Sequence, residues 1–225
     1  MSATYLLLPG LHGNGALYAH FVAALPDGTP TRSVTYPLDD LSYERLIAFV
    51  LDQLPEGELV IVAESFSGPV GIGVASAVPD RVVGLVLAAT FSEGPLPTWT
   101  RPLARLLGNR VNGLIVRSFL VGPSAETELV EEIIREVNEV PGALLVQRAE
   151  RVLEVDMKEA LQALEVPVLY LHASWDMLLW GARNTLVKAA PSTTVVELSS
   201  PHLVLQREPA EAARAIQEWL ESVKS

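Results

Sequence analysis

Short segments that are apolar along their whole length alternate with helical segments, and this alternation restricts the possible folds most strongly. Strands of this kind must be covered on both faces, as in a parallel sheet between two layers of helices. The pattern therefore predicts an α/β protein with a mostly parallel sheet. The predicted strands are residues 5–8, 32–36, 59–63, 82–89, 166–172 and 194–198.

The alternation stops between residues 91 and 164, where only helical patterns are found. We predict a single domain of residues 1–225, in which residues 1–90 and 165–225 form the core. Residues from about 91 to 164 form a helical cap inserted after the fourth strand, with two ordinary crossover helices and long loops as the alternative. The helical patterns are residues 99–107, 111–120, 126–139 and 142–155 in this segment and residues 16–25, 44–54, 178–189 and 210–223 elsewhere.

The composition excludes several classes of protein. A chain of 225 residues that is 49% hydrophobic is long enough to bury one sizeable core. Its formal net charge of −11 argues against binding to nucleic acids and to anionic membrane surfaces. The chain has no cysteine, which excludes disulfides, thiolate metal sites and a cysteine nucleophile.

Neither a membrane segment nor a cofactor motif is found. No segment approaches the ~18 uninterrupted apolar residues of a membrane span, and the first residues lack the basic stretch of a signal peptide. We therefore predict a cytoplasmic protein without membrane insertion, and the oligomeric state stays open. His12, His20 and His172 have no carboxylates at metal-ligand spacing, and the glycines of residues 68–73 lack dinucleotide-binding spacing. We predict neither a metal nor a cofactor.

A serine with small neighbours follows the third predicted strand. Residues 63–68 read AESFSG, so Ser65 lies at the point where a strand turns abruptly into a helix. Such a turn brings two backbones together and needs small residues such as Ala63 and Ser67 on either side. This is the pattern of a nucleophile elbow, G-x-S-x-G, with both outer glycines replaced. A serine that only caps the helix is the alternative.

Two later loops carry partners that could activate this serine. Asp176 follows the fifth predicted strand and His202 follows the sixth. Because functional groups gather at the carboxyl ends of parallel strands, Ser65, Asp176 and His202 are expected at one edge of the sheet. An imidazole accepts the serine proton, and a buried carboxylate fixes the tautomer of the imidazole. Glu93, after the fourth strand, is the alternative acid.

The nucleophile, acid and histidine occur in this order in the α/β-hydrolases, and the chain resembles that family over nearly its whole length. Small bacterial carboxylesterases of the pimeloyl-carrier-protein methyl ester esterase type are similar in size and in the position of the cap. The resemblance implies a sheet of about six strands, since the usual N-terminal hairpin is missing. It also implies backbone N–H groups of Phe66 and Leu11 as oxyanion donors. The sequence His12-Gly13-Asn14 offers a competing register, with Asn14 in place of Leu11.

The resemblance implies a serine carboxylic-ester hydrolase that acts on a small, largely apolar ester. A ligand receptor without hydrolytic activity and a cofactor-free lyase use the same fold and are the alternatives. We expect Glu64, beside the nucleophile, to be ion-paired within the fold, with a catalytic role as the alternative. Several apolar residues either line an acyl pocket or pack as core: Leu103, Leu106, Leu107, Leu114, Ile115, Phe119, Trp175, Leu178, Leu179 and Trp180.

Overall fold

A single sheet of six parallel strands forms the centre of the molecule. The computed structural model describes residues 3–40, 42–97, 100–104, 111–179 and 181–224. The strand order is β2-β1-β3-β4-β5-β6, and every pairing between neighbouring strands is parallel. The strands are β1 Thr4–Leu8, β2 Thr31–Ser33, β3 Leu59–Glu64, β4 Val82–Ala88, β5 Val168–Ala173 and β6 Thr194–Leu198. The predicted mostly parallel sheet of about six strands is confirmed.

Helices cover both faces of the sheet. The helices are α1 Ala19–Ala24, α2 Tyr43–Leu51, α3 Gly68–Ala77, α4 Arg101–Ala104, α5 Gly113–Ile115, α6 Thr127–Glu139, α7 Gly142–Val152, α8 Lys158–Gln162, α9 Ala182–Ala189, α10 Val204–Arg207 and α11 Pro209–Lys224. A π-helical turn, Val116–Val121, continues α5, and a 3-10 turn, Ser65–Ser67, joins β3 to α3. No helix in the described ranges is both long enough and apolar enough to cross a bilayer.

Successive side chains of a strand point to opposite faces, and here both faces are buried. Leu6 and Ile61 pack in a cluster with residues of α2 and α3, whereas Leu7 and Val62 pack with residues of α1 and α11. All four are fully buried. Burying a side chain of this size contributes about 1.5–3 kcal/mol, so both layers of helices are held by the apolar strands.

Residues 91–164, which lie between β4 and β5, are called the insert. In its described part the insert forms helices and loops, apart from one β-bridge between Glu93 and Asp156. Its residues Val116 and Ile133 share a buried cluster with Leu17 and Leu203 of the core. The insert therefore packs on the loops that follow β1 and β6. That it is a cap on a single domain stays a prediction.

Several predicted boundaries are wrong. Strand β2 ends at Ser33 instead of residue 36, because the backbone N–H of Tyr36 donates to Gly13 O in the loop after β1. The helix predicted from residue 178 begins at Ala182, and α8 and α10 are too short to give a periodic pattern. The pattern over residues 99–107 coincides with α4, but residues 98–99 and 105–110 lie outside the described residues.

Candidate active site

Ser65 lies in the sharp turn between β3 and α3. Its φ of +50° lies in the left-handed region, which costs a non-glycine residue of order 1–3 kcal/mol and is found mainly at functional sites. The close backbone approach occurs between Ala63 and Gly71, since a Cβ added to Gly71 would lie 2.6 Å from the Cβ of Ala63. A small residue before the turn is therefore required. Gly68 is also tightly packed, since a Cβ added there would collide with Thr90 Oγ1.

The structure brings together the three side chains that the sequence singled out. Ser65 Oγ lies 2.8 Å from His202 Nε2, and His202 Nδ1 lies 2.7 Å from Asp176 Oδ2. His202 and Asp176 are both buried, so the pair is shielded from water. Because the ionised carboxylate only accepts, Nδ1 carries the proton and Nε2 is left as the acceptor for the serine hydroxyl.

Asp176 is held by the loop in which it lies. Its Oδ1 accepts hydrogen bonds from the backbone N–H groups of Leu178 (2.8 Å) and Leu179 (3.1 Å). Burial by itself raises the pKa of Asp176, but the electrostatic interaction and hydrogen bond with His202, together with these backbone hydrogen bonds, outweigh burial and lower the pKa below its ordinary value. The carboxylate is therefore ionised at neutral pH.

Glu93, the alternative acid, lies in a different environment. Its Oε2 is 2.6 Å from Lys158 Nζ, and its backbone pairs with Asp156 of the insert. The side chain is partly exposed, whereas the hydrogen bond of His202 Nδ1 goes to Asp176. The geometry groups Asp176, and not Glu93, with His202.

The loop after β1 runs beside the serine. A Cβ added to Gly10 would lie 3.9 Å from the Cβ of Ser65, so the loop passes at contact distance. Gly13 N donates to Gly10 O (3.0 Å), which closes a tight turn around Leu11. The side-chain amide of Asn14, just after this turn, donates to Glu136 of α6 (3.1 Å).

Ser67 connects the elbow to this loop, a role that the sequence did not reveal. Its hydroxyl donates to the carbonyl oxygen of Pro9, and the Tyr36 hydroxyl lies 2.6 Å from Ser67 Oγ. Since a carbonyl only accepts, the Ser67 proton goes to Pro9 and the Tyr36 hydroxyl donates to Ser67. Ser67, which the sequence presented only as a conservative replacement of a glycine, thus holds the two loops together. The only indication in the sequence was that Ser67 carries a hydroxyl group at a position where the turn requires a small residue.

Glu64 is fully buried next to Ser65, and the expected ion pair is wrong. Among the described residues no cation lies within ion-pairing distance; instead Gln206 Nε2 of α10 donates to Glu64 Oε2 at 3.1 Å. Burial raises the pKa of Glu64 to about 7, although the hydrogen bond from Gln206 and the electrostatic interaction with His202 act in the opposite direction. A second titratable carboxyl group therefore lies beside the candidate triad.

Exposed apolar side chains flank the loop that carries His202. Leu203 N donates to Leu120 O at 2.9 Å, which fixes the π-helical turn of the insert beside His202. On the other side, Trp175 N donates to Ser200 O at 3.0 Å. The exposed large apolar residues on these two segments are Leu114, Ile115, Phe119, Trp175 and Met177.

The structure describes only some of the other apolar residues that were considered for an acyl pocket. Leu179 is buried against Phe91 and Ala182, so it packs as core, and Leu178 is partly buried against the same cluster. Leu106, Leu107 and Trp180 lie outside the described residues, as does the side chain of Leu103.

Comparisons with known proteins show the fold. No protein-family model and no curated protein matches the chain. Among solved structures, a bromoperoxidase from Bacillus anthracis has a TM-score of 0.82 at 16% identity, over 98% of this chain and 92% of that chain. A thermophilic esterase from Thermogutta terrifontis has a TM-score of 0.79 at 20% identity, over 100% and 92%.

The enol-lactonase from Burkholderia xenovorans LB400 has a TM-score of 0.78 at 17% identity, over 98% of this chain and 92% of that chain. These similarities cover nearly the whole of each chain. Together with the six-stranded parallel sheet they show that the chain has the α/β-hydrolase fold.

Proposed function

We propose that this protein is a serine carboxylic-ester hydrolase that works through an acyl-enzyme. The observation that carries the proposal is the continuous hydrogen-bonded chain from Ser65 through His202 to Asp176, with Ser65 in a left-handed turn at the end of β3. A serine hydroxyl is a weak nucleophile unless a base takes its proton, and this arrangement supplies the base and orients it.

In the proposed reaction, Ser65 Oγ attacks the carbonyl carbon of the ester while its proton moves to His202 Nε2. Asp176 stabilises the imidazolium that forms, and the imidazolium then gives the proton to the leaving alcohol oxygen as the acyl–oxygen bond breaks. In the second half, His202 takes a proton from water, whose oxygen attacks the acyl-enzyme. The Ser65–acyl bond breaks, Ser65 recovers its proton and the carboxylic acid leaves.

The backbone N–H groups of Phe66 and Leu11 are the proposed oxyanion donors. Phe66 lies in the 3-10 turn Ser65–Ser67 that leads into α3, where the helix N-terminus also favours negative charge. For Leu11, support comes from the turn in which Gly10 O accepts from Gly13 N, because the N–H of the same peptide then points the opposite way. The backbone N–H of Asn14 stays the alternative donor, since the hydrogen bond from Asn14 to Glu136 involves only its side chain.

The proposed substrate is a small, largely apolar ester. The exposed side chains of Ile115, Phe119 and Trp175 lie on segments beside the His202 loop, where an apolar acyl or alcohol group would find contacts. Solved structures of the same fold include esterases and an enol-lactonase. The closer resemblance to pimeloyl-carrier-protein methyl ester esterases and the cytoplasmic location belong to this proposal and stay predictions.

The test is hydrolysis of p-nitrophenyl esters of increasing acyl length by the wild type and by Ser65→Ala. Loss of the nucleophile is expected to lower kcat by about 10³-fold or more. Ser76→Ala, on the helix that follows Ser65, is the control and is expected to retain activity, since Ser76 only donates to Ile72 O. Equal activity of the wild type and Ser65→Ala would contradict the proposal. A folded wild type that hydrolyses no ester would favour the receptor or lyase alternative.

A further inference from the structure

Five consecutive carbonyl groups in the loop after β1 all accept a hydrogen bond. In chain order, the carbonyls from Pro9 to Gly13 accept from Ser67 Oγ, Gly13 N, Arg148 Nη1, Arg148 Nη1 and Tyr36 N. Four of these five residues are buried, so their carbonyls need partners from the protein instead of water. We call residues 9–13 the oxyanion loop, after the function proposed for it. Each peptide group of this loop that contributes one of these carbonyls is therefore held by a hydrogen bond.

These bonds fix the direction of the Leu11 N–H. A peptide group is planar, so its N–H points away from its C=O. The carbonyl of Gly10, which shares a peptide with Leu11 N, is held by Gly13. The next peptide is held through the Leu11 carbonyl, which accepts from Arg148 at 2.8 Å. A flip of the Gly10–Leu11 peptide would reverse the direction of the N–H. Such a flip would break the hydrogen bond to Gly10 O, and the peptide groups on both sides are held by hydrogen bonds of their own.

Arg148 supplies two of the five anchors, and it belongs to the insert. Its side chain reaches from α7 to Leu11 O, to His12 O (3.1 Å) and, through Nη2, to Pro37 O (3.0 Å). Arg148 is only 3% exposed. Buried arginines are normally paired with carboxylates, but among the described ion pairs none involves Arg148. Its charge is stabilised by backbone carbonyls instead.

The surroundings of the guanidinium fit this role. Gly13 has φ +84°, and a Cβ at this position would collide with Arg148 Nη1, so the loop is shaped around the arginine. Burial lowers the pKa of His12 to about 4, so the neighbouring imidazole is neutral and does not oppose the charge of Arg148. On the adjacent helix α6, Glu136 accepts from Asn14 and adds a second contact between insert and loop.

We propose that Arg148 is a positioning residue, which holds the oxyanion loop in its competent conformation from the insert. This inference rests on the proposed function, since it assigns Leu11 N–H as a donor to the oxyanion. Arg148 itself does not touch the reacting atoms. Its contribution is to keep the donor oriented before the substrate arrives, which is when a preorganised donor is most effective.

The kinetic test compares three variants on the p-nitrophenyl ester that the wild type hydrolyses best. Arg148→Met removes all the bonds to the loop, and Arg148→Lys keeps the charge with fewer bonds. Arg151→Met, on the same helix, is the matched control because it removes an exposed ion pair with Asp40. For Arg148→Met we expect kcat to fall by about 10- to 10²-fold with little change in KM, a smaller loss for Arg148→Lys, and near wild-type rates for the control.

Chemical rescue distinguishes a role of Arg148 in positioning the oxyanion loop from a general loss of structure in the variant. In Arg148→Ala, added guanidinium ion at a concentration below that which unfolds the protein is expected to restore part of kcat. The same addition to Ser65→Ala is expected to restore nothing. An Arg148→Ala protein that remains folded, loses kcat and gains nothing from guanidinium would contradict a role that depends on the guanidinium bonds.

Amide hydrogen exchange tests the anchoring without any substrate. Exchange in residues 9–14 is expected to be faster in Arg148→Met than in the wild type, and unchanged in Arg151→Met. Unchanged exchange in Arg148→Met, or faster exchange with wild-type kcat, overturns the inference. If the wild type hydrolyses no ester, the proposed function fails, and the exchange result alone decides whether Arg148 anchors the loop.

Discussion

The two halves of the candidate site are supported in different ways. At the elbow, the carbonyl of Ser65 accepts from the Thr90 hydroxyl, and the carbonyl of Phe66 accepts from the Tyr43 hydroxyl. Both donors lie in the α/β core, one just after β4 and the other on α2. At the oxyanion loop, support comes from Arg148 of the insert, with Ser67 binding from the elbow side.

This difference separates two requirements of the proposed chemistry. The nucleophile, base and acid follow β3, β6 and β5, so all three lie at one edge of the sheet. The oxyanion loop also needs the insert in place. We therefore expect changes in the core half to affect the triad or the stability, and changes in the loop half to lower kcat with the triad intact.

The largest effect is expected for Asp176→Asn. The Asn oxygen can still accept from Leu178 and Leu179, which preserves the loop, but the amide neither fixes the productive tautomer of His202 nor stabilises its cation. We expect kcat to fall by about 10⁴-fold, measured by ester hydrolysis at neutral pH. Glu93→Gln is the matched control, because it removes the alternative acid, and it is expected to retain activity. A comparable loss in Glu93→Gln would reverse the assignment.

Glu64→Gln is expected to change how stability depends on pH. The pKa of Glu64 rises from 4.5 to about 7 on folding. Between these values the folded state binds more protons than the unfolded state, so the wild type loses stability as pH rises, by about 3 kcal/mol in total. Glu64→Gln is expected to lack this loss, as measured by urea unfolding at pH 5 and pH 8. An identical pH dependence in both proteins would contradict the raised pKa.

Ser67→Ala probes the oxyanion loop from the side opposite to Arg148. Pro9 O loses its donor and the Tyr36 hydroxyl loses its acceptor, while the triad keeps its bonds. We expect kcat to fall about tenfold, less than the about 10²–10³-fold loss when an oxyanion donor itself is removed. In combination with Arg148→Met the losses are expected to be less than multiplicative, since both residues hold one loop. Full multiplicativity would indicate two independent effects.

The smallest effect is expected for Tyr43→Phe. The ring still stacks on Phe66, with centroids 5.1 Å apart, but the Phe66 carbonyl loses a buried donor at 3.1 Å. We expect a loss of about 1 kcal/mol in the free energy of unfolding, with kcat within about twofold of the wild type. A fall in kcat as large as that expected for Ser67→Ala would mean that a change at the elbow lowers kcat as much as a change at the oxyanion loop. That outcome would contradict the difference between the two halves of the site.

Much of the fold was predictable, because its signals are local. A strand buried on both faces is apolar throughout, whatever its partners, so β3, β4 and β5 could be recognised from short segments. The elbow and the positions of Asp176 and His202 follow from the same strands. The end of β2 was less predictable, because Tyr36 leaves the sheet to bind Gly13, which lies far from it in sequence.

The parts that the sequence did not reveal depend on contacts between distant segments. Arg148 lies 137 residues from Leu11, and Gln206 lies 142 residues from Glu64. Nothing in the neighbourhood of Arg148 distinguishes it from Arg151, three residues later on the same helix. Arg148 is buried against backbone carbonyls, whereas Arg151 forms a partly exposed ion pair with Asp40.

The sequence by itself determined an α/β sheet, a serine in a tight strand-to-helix turn, and an acid and a histidine after the last two strands. Each of these depends on residue types within a few positions of one another. Only the tertiary structure decided that Glu64 binds an amide instead of a cation, that Ser67 holds Pro9, and that a buried arginine of the insert holds the oxyanion loop. The physical reason is that a buried polar group must find a partner, and the folded chain alone determines which partner is near.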